Sequence, residues 1–106
     1  MSQYLYLLRP TRLDMLTDGG TPDEIRIVGE HFNHLKAQIE AGVAILLGRT
    51  QTDDARTFGI VIFNADDEDS ARAIMESDPA VKHGVMTAEL FPYRIALIRE
   101  ANIITA

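Results

Sequence analysis

Three features predict the fold class of this chain: four strand-like apolar runs, two stretches with helical periodicity between them, and polar or glycine-containing turns at the junctions. Their order, βαββαβ, is that of the ferredoxin-like split βαβ unit, an α+β fold with an antiparallel four-stranded sheet. With 106 residues, the chain is read as one domain spanning 1–106, able to bury roughly two thirds of its unfolded surface.

The first strand is expected over Gln3 to Leu8. Tyr4, Tyr6 and Leu8 point one way and Leu5 and Leu7 the other. Arg9-Pro10 ends it, because proline removes a ladder donor. Residues 11–20 form a connection that closes on Asp18-Gly19-Gly20. Thr21-Pro22-Asp23-Glu24 then opens a helix: Thr21 caps, Pro22 suits the first helical position, and Glu24 reaches back to complete a capping box. Ile25, Val28, Phe32, Leu35 and Ile39 recur on one face, and Gly42 is the expected cap at the far end. On this wheel His31 lies at the rim of the apolar stripe, and His34 lies well away from it, in solvent.

Val43 to Leu47 is apolar on both faces and reads as a buried strand. The polar loop Gln51 to Arg56 leads to a second such strand, Thr57 to Asn64, and the short connection favours a hairpin. Asp66 or Asp67 starts the second helix, with Ala71, Ile74 and Met75 on its apolar side and acidic residues at the favourable end of its dipole. Asp78-Pro79 ends that helix or begins a new short turn. His83-Gly84 breaks the chain again. Met86 to Ile98 is the expected last strand, with Pro92 at a bulge or an edge.

Two helices cover one face of such a sheet, yet both inner strands are apolar on both faces. The second face therefore needs a cover, and another copy of the chain packed sheet to sheet is the simplest one.

Composition narrows the function. Hydrophobic residues make up 46% of the chain, too many for a disordered segment. Ten basic residues stand against sixteen acidic ones, a net charge of -6, and no basic run interleaves with aromatics, so nucleic-acid binding is disfavoured. Cysteine is absent, which removes disulfides, thiolate catalysis and cysteine-ligated zinc. Arg9 and Arg12 follow the first apolar run, the reverse of a signal peptide, and no apolar run approaches the length of a membrane span. The expectation is a cytoplasmic protein with neither a membrane nor a nucleic-acid partner.

His31 and Asp78 are the best candidates for acid–base chemistry. An imidazole can take and give protons near neutral pH, and a carboxylate can orient it and stabilise its charged form. The ordinary alternative is a rim histidine satisfied by backbone, with Asp78 capping a turn before Pro79. Arg49 and Arg9, at strand ends, are candidates to clamp a carboxylate or phenolate, and Thr50 to offer a hydroxyl. Against that stands the usual role of such residues as solvated surface. Tyr4, Tyr6 and Tyr93 either line a cavity or, in the more ordinary role of such aromatics, pack in the core or an interface. No metal site is expected. His31 and His34 share a ligand-like spacing, but there is no HExxH motif and no third histidine at useful spacing. The acidic stretch Asp66 to Asp69 is a helix start rather than a calcium loop. Phosphate loops and a serine elbow are absent, so no cofactor is expected.

The run His31-Phe32-Asn33-His34-Leu35, then Gly42, Gly48, the strand Phe58 to Phe63, and Asp78-Pro79 followed by Gly84 resembles the YciI-like (YCII-related) family over nearly the whole chain. The likeness is closest to a subgroup with stretches such as Gly48-Arg49-Thr50, Thr57-Phe58-Gly59-Ile60-Val61 and Glu89-Leu90-Phe91-Pro92-Tyr93. The resemblance implies a ferredoxin-like fold paired as a dimeric α+β barrel, related to muconolactone isomerase and similar to an aromatic dehydrochlorinase. It also implies a His-Asp dyad, with His31 rather than His34 matching the histidine by helix-end spacing and Asp78 matching the aspartate of the Asp-Pro motif. Many members carry Gly-Pro where this chain has Gly48-Arg49. Two functions follow as expectations. One is a cofactor-independent lyase- or isomerase-type enzyme acting on a small molecule, with aromatic compounds among the candidates. The other is a non-catalytic small-molecule binding or regulatory homodimer that reuses the same cavity.

Overall fold

A computed structural model describes residues 1–103. Its main elements are β1 (Ser2–Pro10), α1 (Met15–Asp18), α2 (Pro22–Glu40), β2 (Ala44–Arg49), β3 (Gly59–Ala65), α3 (Glu68–Ser77), α4 (Pro79–Lys82) and β4 (Met86–Tyr93). The four strands form one sheet in the order β2-β3-β1-β4, with every pair antiparallel, as the βαββαβ reading requires. No helix among the described residues is long and apolar enough to cross a membrane.

Strand alternation assigns the two faces. Tyr4 lies opposite Phe63 and Pro92, and Tyr6 opposite Val61 and Leu90. Tyr4, Tyr6, Leu8, Val61, Phe63 and Ala65 are buried with Leu35 of α2 and with Ala71 and Met75 of α3, so this face packs under the helices. The Tyr6 and Phe63 rings meet edge to face at 5.5 Å, a favourable geometry for their quadrupoles. Leu5, Leu7 and Ile60 alternate onto the other face and are half-buried, while Leu46, Phe91 and Tyr93 remain exposed there.

Local signals in the sequence place most helix ends. The Thr21 hydroxyl accepts from the Glu24 N–H at 3.1 Å, and the Glu24 carboxylate accepts from the Thr21 N–H at 2.8 Å, completing the capping box ahead of Pro22. At the other end Ala41 occupies the cap, and Gly42 follows it at φ +79, a left-handed conformation that suits glycine. Gly42 N–H donates to Ile39 O and Val43 N–H to Gln38 O, the paired bonds of a Schellman motif. Asp67, the second of the two candidate starts, caps α3 by accepting from the Ser70 N–H.

Strand ends shift by one or two residues, so that β1 runs through Arg9 and Pro10, and four larger features depart from the sequence reading. The buried face of α2 is rotated: Ile27 and Leu35 are buried, Val28, His31, His34 and Gln38 are half-buried, and Ile25, Phe32 and Ile39 are exposed. Those three recur every seven residues and so keep to one side of the helix. The sheet instead takes the side that carries Leu35 and His31, because His31 is drawn inward to a buried carboxylate. His34, expected in solvent, is consequently half-buried. The last strand ends at Tyr93 rather than Ile98. Tyr93 pairs with Gln3, almost at the start of β1, so little partner strand remains beyond it. Residues 94–98 instead turn across the open face, with the Ile95 N–H donating to Gln3 Oε1 at 2.9 Å, and form a groove with Ile45, Leu46 and Ile62. Finally, the connection 11–20 contains α1. Arg12 holds it by forking between Asp18 (2.7 Å) and Glu24 (2.6 Å), which ties α1 to the start of α2.

Two predictions follow. Leu35, 3% exposed, is core, and Ile25, 60% exposed, is surface despite its place in the predicted stripe. Leu35→Ala should cost about 2–5 kcal/mol in urea unfolding and Ile25→Ala about 0.5 kcal/mol or less. Similar costs at the two positions would return Ile25 to the core face.

The Glu24 carboxyl is held down to about 2 from an ordinary 4.5, chiefly by its hydrogen bonds from Arg12 and then from the Thr21 N–H. A depressed carboxyl stabilises the fold above its unfolded value and loses that contribution as pH falls through its folded one. The stability gap between the parent and Glu24→Gln should therefore be full above about pH 4.5 and should close toward pH 2. A pH-independent gap in urea midpoints between pH 2 and 6 would rule out the ionic tie.

Candidate functional site

Pro79 disfavours a helical conformation at the residue before it, and Asp78 is extended (φ -61, ψ 123) between α3 and α4. This turn directs the Asp78 side chain inward, where it is 0% exposed. A buried carboxylate is costly unless donors surround it. Asp78 has three: Oδ1 accepts from the Ala80 N–H at 3.0 Å and contacts His31 Nδ1 at 2.6 Å, and Oδ2 accepts from the Tyr6 hydroxyl at 2.7 Å. One residue thus caps α4 and joins α2 to β1.

The protonation pattern follows from these contacts. Burial pushes the Asp78 carboxyl up, but the His31 hydrogen bond and charge, the Tyr6 hydroxyl and the Ala80 N–H together bring it below the ordinary carboxylate range. The Tyr6 phenol is raised far above its usual value, first by burial and then by the neighbouring Asp78 charge. Tyr6 is therefore a neutral donor and Asp78 an anionic acceptor. An ionised carboxylate can only accept, so the proton between the two side chains sits on His31 Nδ1. Nε2 is left without a hydrogen-bond partner among the described residues.

His31 is 13% exposed at its side chain and lines a cavity of about 370 Å³ between α2 and the sheet. That volume is within the range of small-molecule sites. The sheet side is apolar, with Leu8, Leu47, Val61 and Met86, and the helix side adds Val28, Phe32 and Leu35 to His31. Met15 and Leu16 of α1 supply a further wall, the one Arg12 ties in place. Arg49, Thr57 and Phe58 complete the lining from the β2 end and the β3 approach.

The sequence-stated candidates divide into two groups here. His31 and Arg49 line the cavity, with Asp78 directly behind His31. Arg49 Nε donates to Thr50 O and Nη2 to Thr52 O, leaving Nη1 without a partner among the described residues. Arg9 and Thr50 are not lining residues. Arg9 Nη1 donates to Thr57 O at 3.3 Å, and the guanidinium carbon lies 5.8 Å from the Phe58 ring centre. The Thr50 hydroxyl accepts from the Phe58 N–H at 3.1 Å and contacts the Thr52 hydroxyl at 2.8 Å. Both brace the connection that carries Thr57 and Phe58. His34 lines a separate small crevice, and His83 is exposed at the end of α4. Among the described residues no three His, Asp or Glu side chains meet in a way that could hold a metal ion.

Sequence reasoning named Tyr6 only as a core or cavity aromatic and missed its bond to Asp78. The available signal was chemical: an inward tyrosine in mid-strand must find a partner for its hydroxyl, and a buried aspartate must find donors. The α1 wall had no comparable signal, because a four-residue helix has too few positions to show a period.

Comparison with known proteins gives three results. None of the curated protein sequences matches this chain. The fold is shared with the solved structure of 5-chloro-2-hydroxyhydroquinone dehydrochlorinase from Burkholderia phenoliruptrix AC1100, in complex with 2,5-dihydroxybenzoquinone, at a TM-score of 0.60 and 18% identity over 86% of this chain and 93% of that one. A family model described as the YCII-related domain matches residues 5–93, a span that runs from β1 through β4, and the chain therefore belongs to the YCII-related family.

Proposed function

We propose that this protein is a small, cofactor-independent enzyme of lyase or isomerase type, in which His31 moves a proton on a small ring compound held in the cavity. One observation carries the reading: His31 lines an open, mostly apolar cavity while its Nδ1 is committed to a buried carboxylate. This is the arrangement of an oriented general base. His31 Nε2 takes a proton from the substrate, and Asp78 stabilises the imidazolium that forms. The proton then returns to a different substrate atom in an isomerisation. In an elimination, the electron pair left on the substrate expels a leaving group. Arg49, with Nη1 free of partners among the described residues, offsets negative charge on the substrate. Arg9 and Thr50 act indirectly, by holding Thr57 and Phe58 against the cavity. The dehydrochlorinase with the shared fold carries a dihydroxybenzoquinone, which makes hydroxylated aromatics the first compounds to try.

A thermal-shift screen of small phenolic and keto-acid compounds finds the ligand, and turnover assays follow. His31→Ala should lose activity by about a hundred- to ten-thousand-fold. His34→Ala should keep it, and a chelator should have no effect. Full activity in His31→Ala, or loss with chelator, rejects the proposal. A ligand bound in the cavity without turnover by the parent protein would make it a binding module instead.

The open sheet face is proposed to pair with a second copy of the chain. Leu5, Leu7 and Ile60 lie half-buried there beside exposed Leu46, Phe91 and Tyr93, and Leu97 beyond β4 is 95% exposed. Such a contiguous apolar face is costly in water. Leu5→Glu should give a folded monomer by sedimentation and circular dichroism, whereas Val61→Glu, beneath the helices, should unfold the chain. A Leu5→Glu protein that remains dimeric removes this face as the interface.

A further inference from the structure

We propose that Tyr6 is a positioning residue of this site, holding the second oxygen of Asp78 so that the first faces His31. The inference rests on the reading of His31 as the proton carrier and adds a residue to it.

Four observations support it. Tyr6 is 1% exposed and stands in the middle of β1, opposite Val61 and Leu90, on the strand flanked by both neighbours in the sheet. Its ring is fixed edge to face against Phe63, so the hydroxyl is presented from a rigid base. That hydroxyl donates at 2.7 Å to Asp78 Oδ2, the oxygen that His31 does not use. Asp78 is fully buried, and Tyr6, His31 and Ala80 are its hydrogen-bond donors among the described residues.

The chemistry follows from competition for one charge. The carboxylate divides its negative charge between a phenol and an imidazole. Each hydrogen bond that Tyr6 donates to Oδ2 draws charge from Oδ1 and lowers the pull on the imidazole proton. Tyr6 thus competes with His31 for the charge of Asp78, and it fixes the carboxylate rotation at the same time. Tyr6 itself exchanges no proton, because burial and the Asp78 charge keep its phenol neutral. On α4, which packs against α2, the charged and titratable groups are Lys82 and the cap residue His83, both exposed. Asp78 contacts His31 from the α3–α4 junction, Tyr6 lies behind Asp78 on β1, and Arg49 lines the same cavity from β2. Glu30 and His34 are its nearest titratable neighbours along α2.

The test needs no substrate. The titration of the His31 ring is followed by NMR in the parent protein, with the signal assigned through His31→Ala. Tyr6→Phe removes only the hydroxyl, and it should raise the imidazole midpoint. In an Asp78→Asn background, the same change should move nothing, because the charge through which Tyr6 acts is gone. Site-specific replacement of Tyr6 by 3-fluorotyrosine, a more acidic phenol and a stronger donor, should lower the midpoint. This arm keeps the hydroxyl and serves if Tyr6→Phe does not fold. A residue that only filled space would change stability and leave the midpoint alone. An unchanged midpoint in Tyr6→Phe, an equal shift in both backgrounds, or a rise with fluorotyrosine overturns the proposal. The catalytic reading fails separately: a moving midpoint with no turnover rejects the enzyme and keeps the tuning, whereas turnover lost in His31→Ala with a fixed midpoint does the reverse.

Discussion

The organisation of this molecule depends on burying one carboxylate. Asp78 is fully enclosed, and an enclosed negative charge persists only if nearby donors replace the water it has lost. Its three donors come from three parts of the chain: the Tyr6 hydroxyl from β1, the His31 ring from α2 and the Ala80 N–H from the first turn of α4. Removing any one leaves the charge under-solvated, so the position of α2 over the sheet and the turn between α3 and α4 are coupled through a single side chain. The same demand accounts for the rotated face of α2. A helix with apolar residues on more than one side can be turned by a strong polar contact, and here that contact brings His31 inward and leaves Ile25 and Ile39 outside.

Much of the fold is legible in the residues because local rules act there without competition. The capping box at Thr21 and Glu24, the Schellman motif at Gly42 and the cap at Asp67 are each specified within a few residues, and each forms as expected. The alternation of Tyr4, Tyr6 and Leu8 against Leu5 and Leu7 is likewise sufficient to sort the faces of β1. The boundary at Tyr93 is different in kind. Residues 94–98 are as apolar as a strand, and what ends the strand is the exhaustion of its partner β1, which no local pattern encodes.

The candidate site was legible in part for the same reason. His31 and Asp78 lie 47 positions apart, and no spacing rule predicts a 2.6 Å contact between them; their types, the place of His31 at the rim of a helix stripe, that of Asp78 before Pro79 and the family resemblance are the signals the sequence carries. Arg49, Arg9 and Thr50 share a strand-end location and cannot be told apart in sequence. In three dimensions Arg49 reaches the cavity, while Arg9 and Thr50 spend their polar atoms on the connection behind it. Tyr6 required knowing that a mid-strand tyrosine and a pre-proline aspartate lie within one hydrogen bond of each other.

The cavity walls come from separable pieces of chain. The cluster of Tyr6, Asp78 and His31 belongs to β1, α2 and the α3–α4 junction, whereas Arg49, Thr57 and Phe58 lie between the last residue of β2 and the start of β3. That stretch is held by bonds among Thr50, Thr52 and Phe58 and by Arg9 of β1, and none of them involves Asp78. The hydrogen-bonded cluster and this part of the lining are therefore built from separate segments of chain. A chain that differed only at residues 49–58 would keep the contacts among Tyr6, Asp78 and His31 and set the His31 ring in a cavity of different shape.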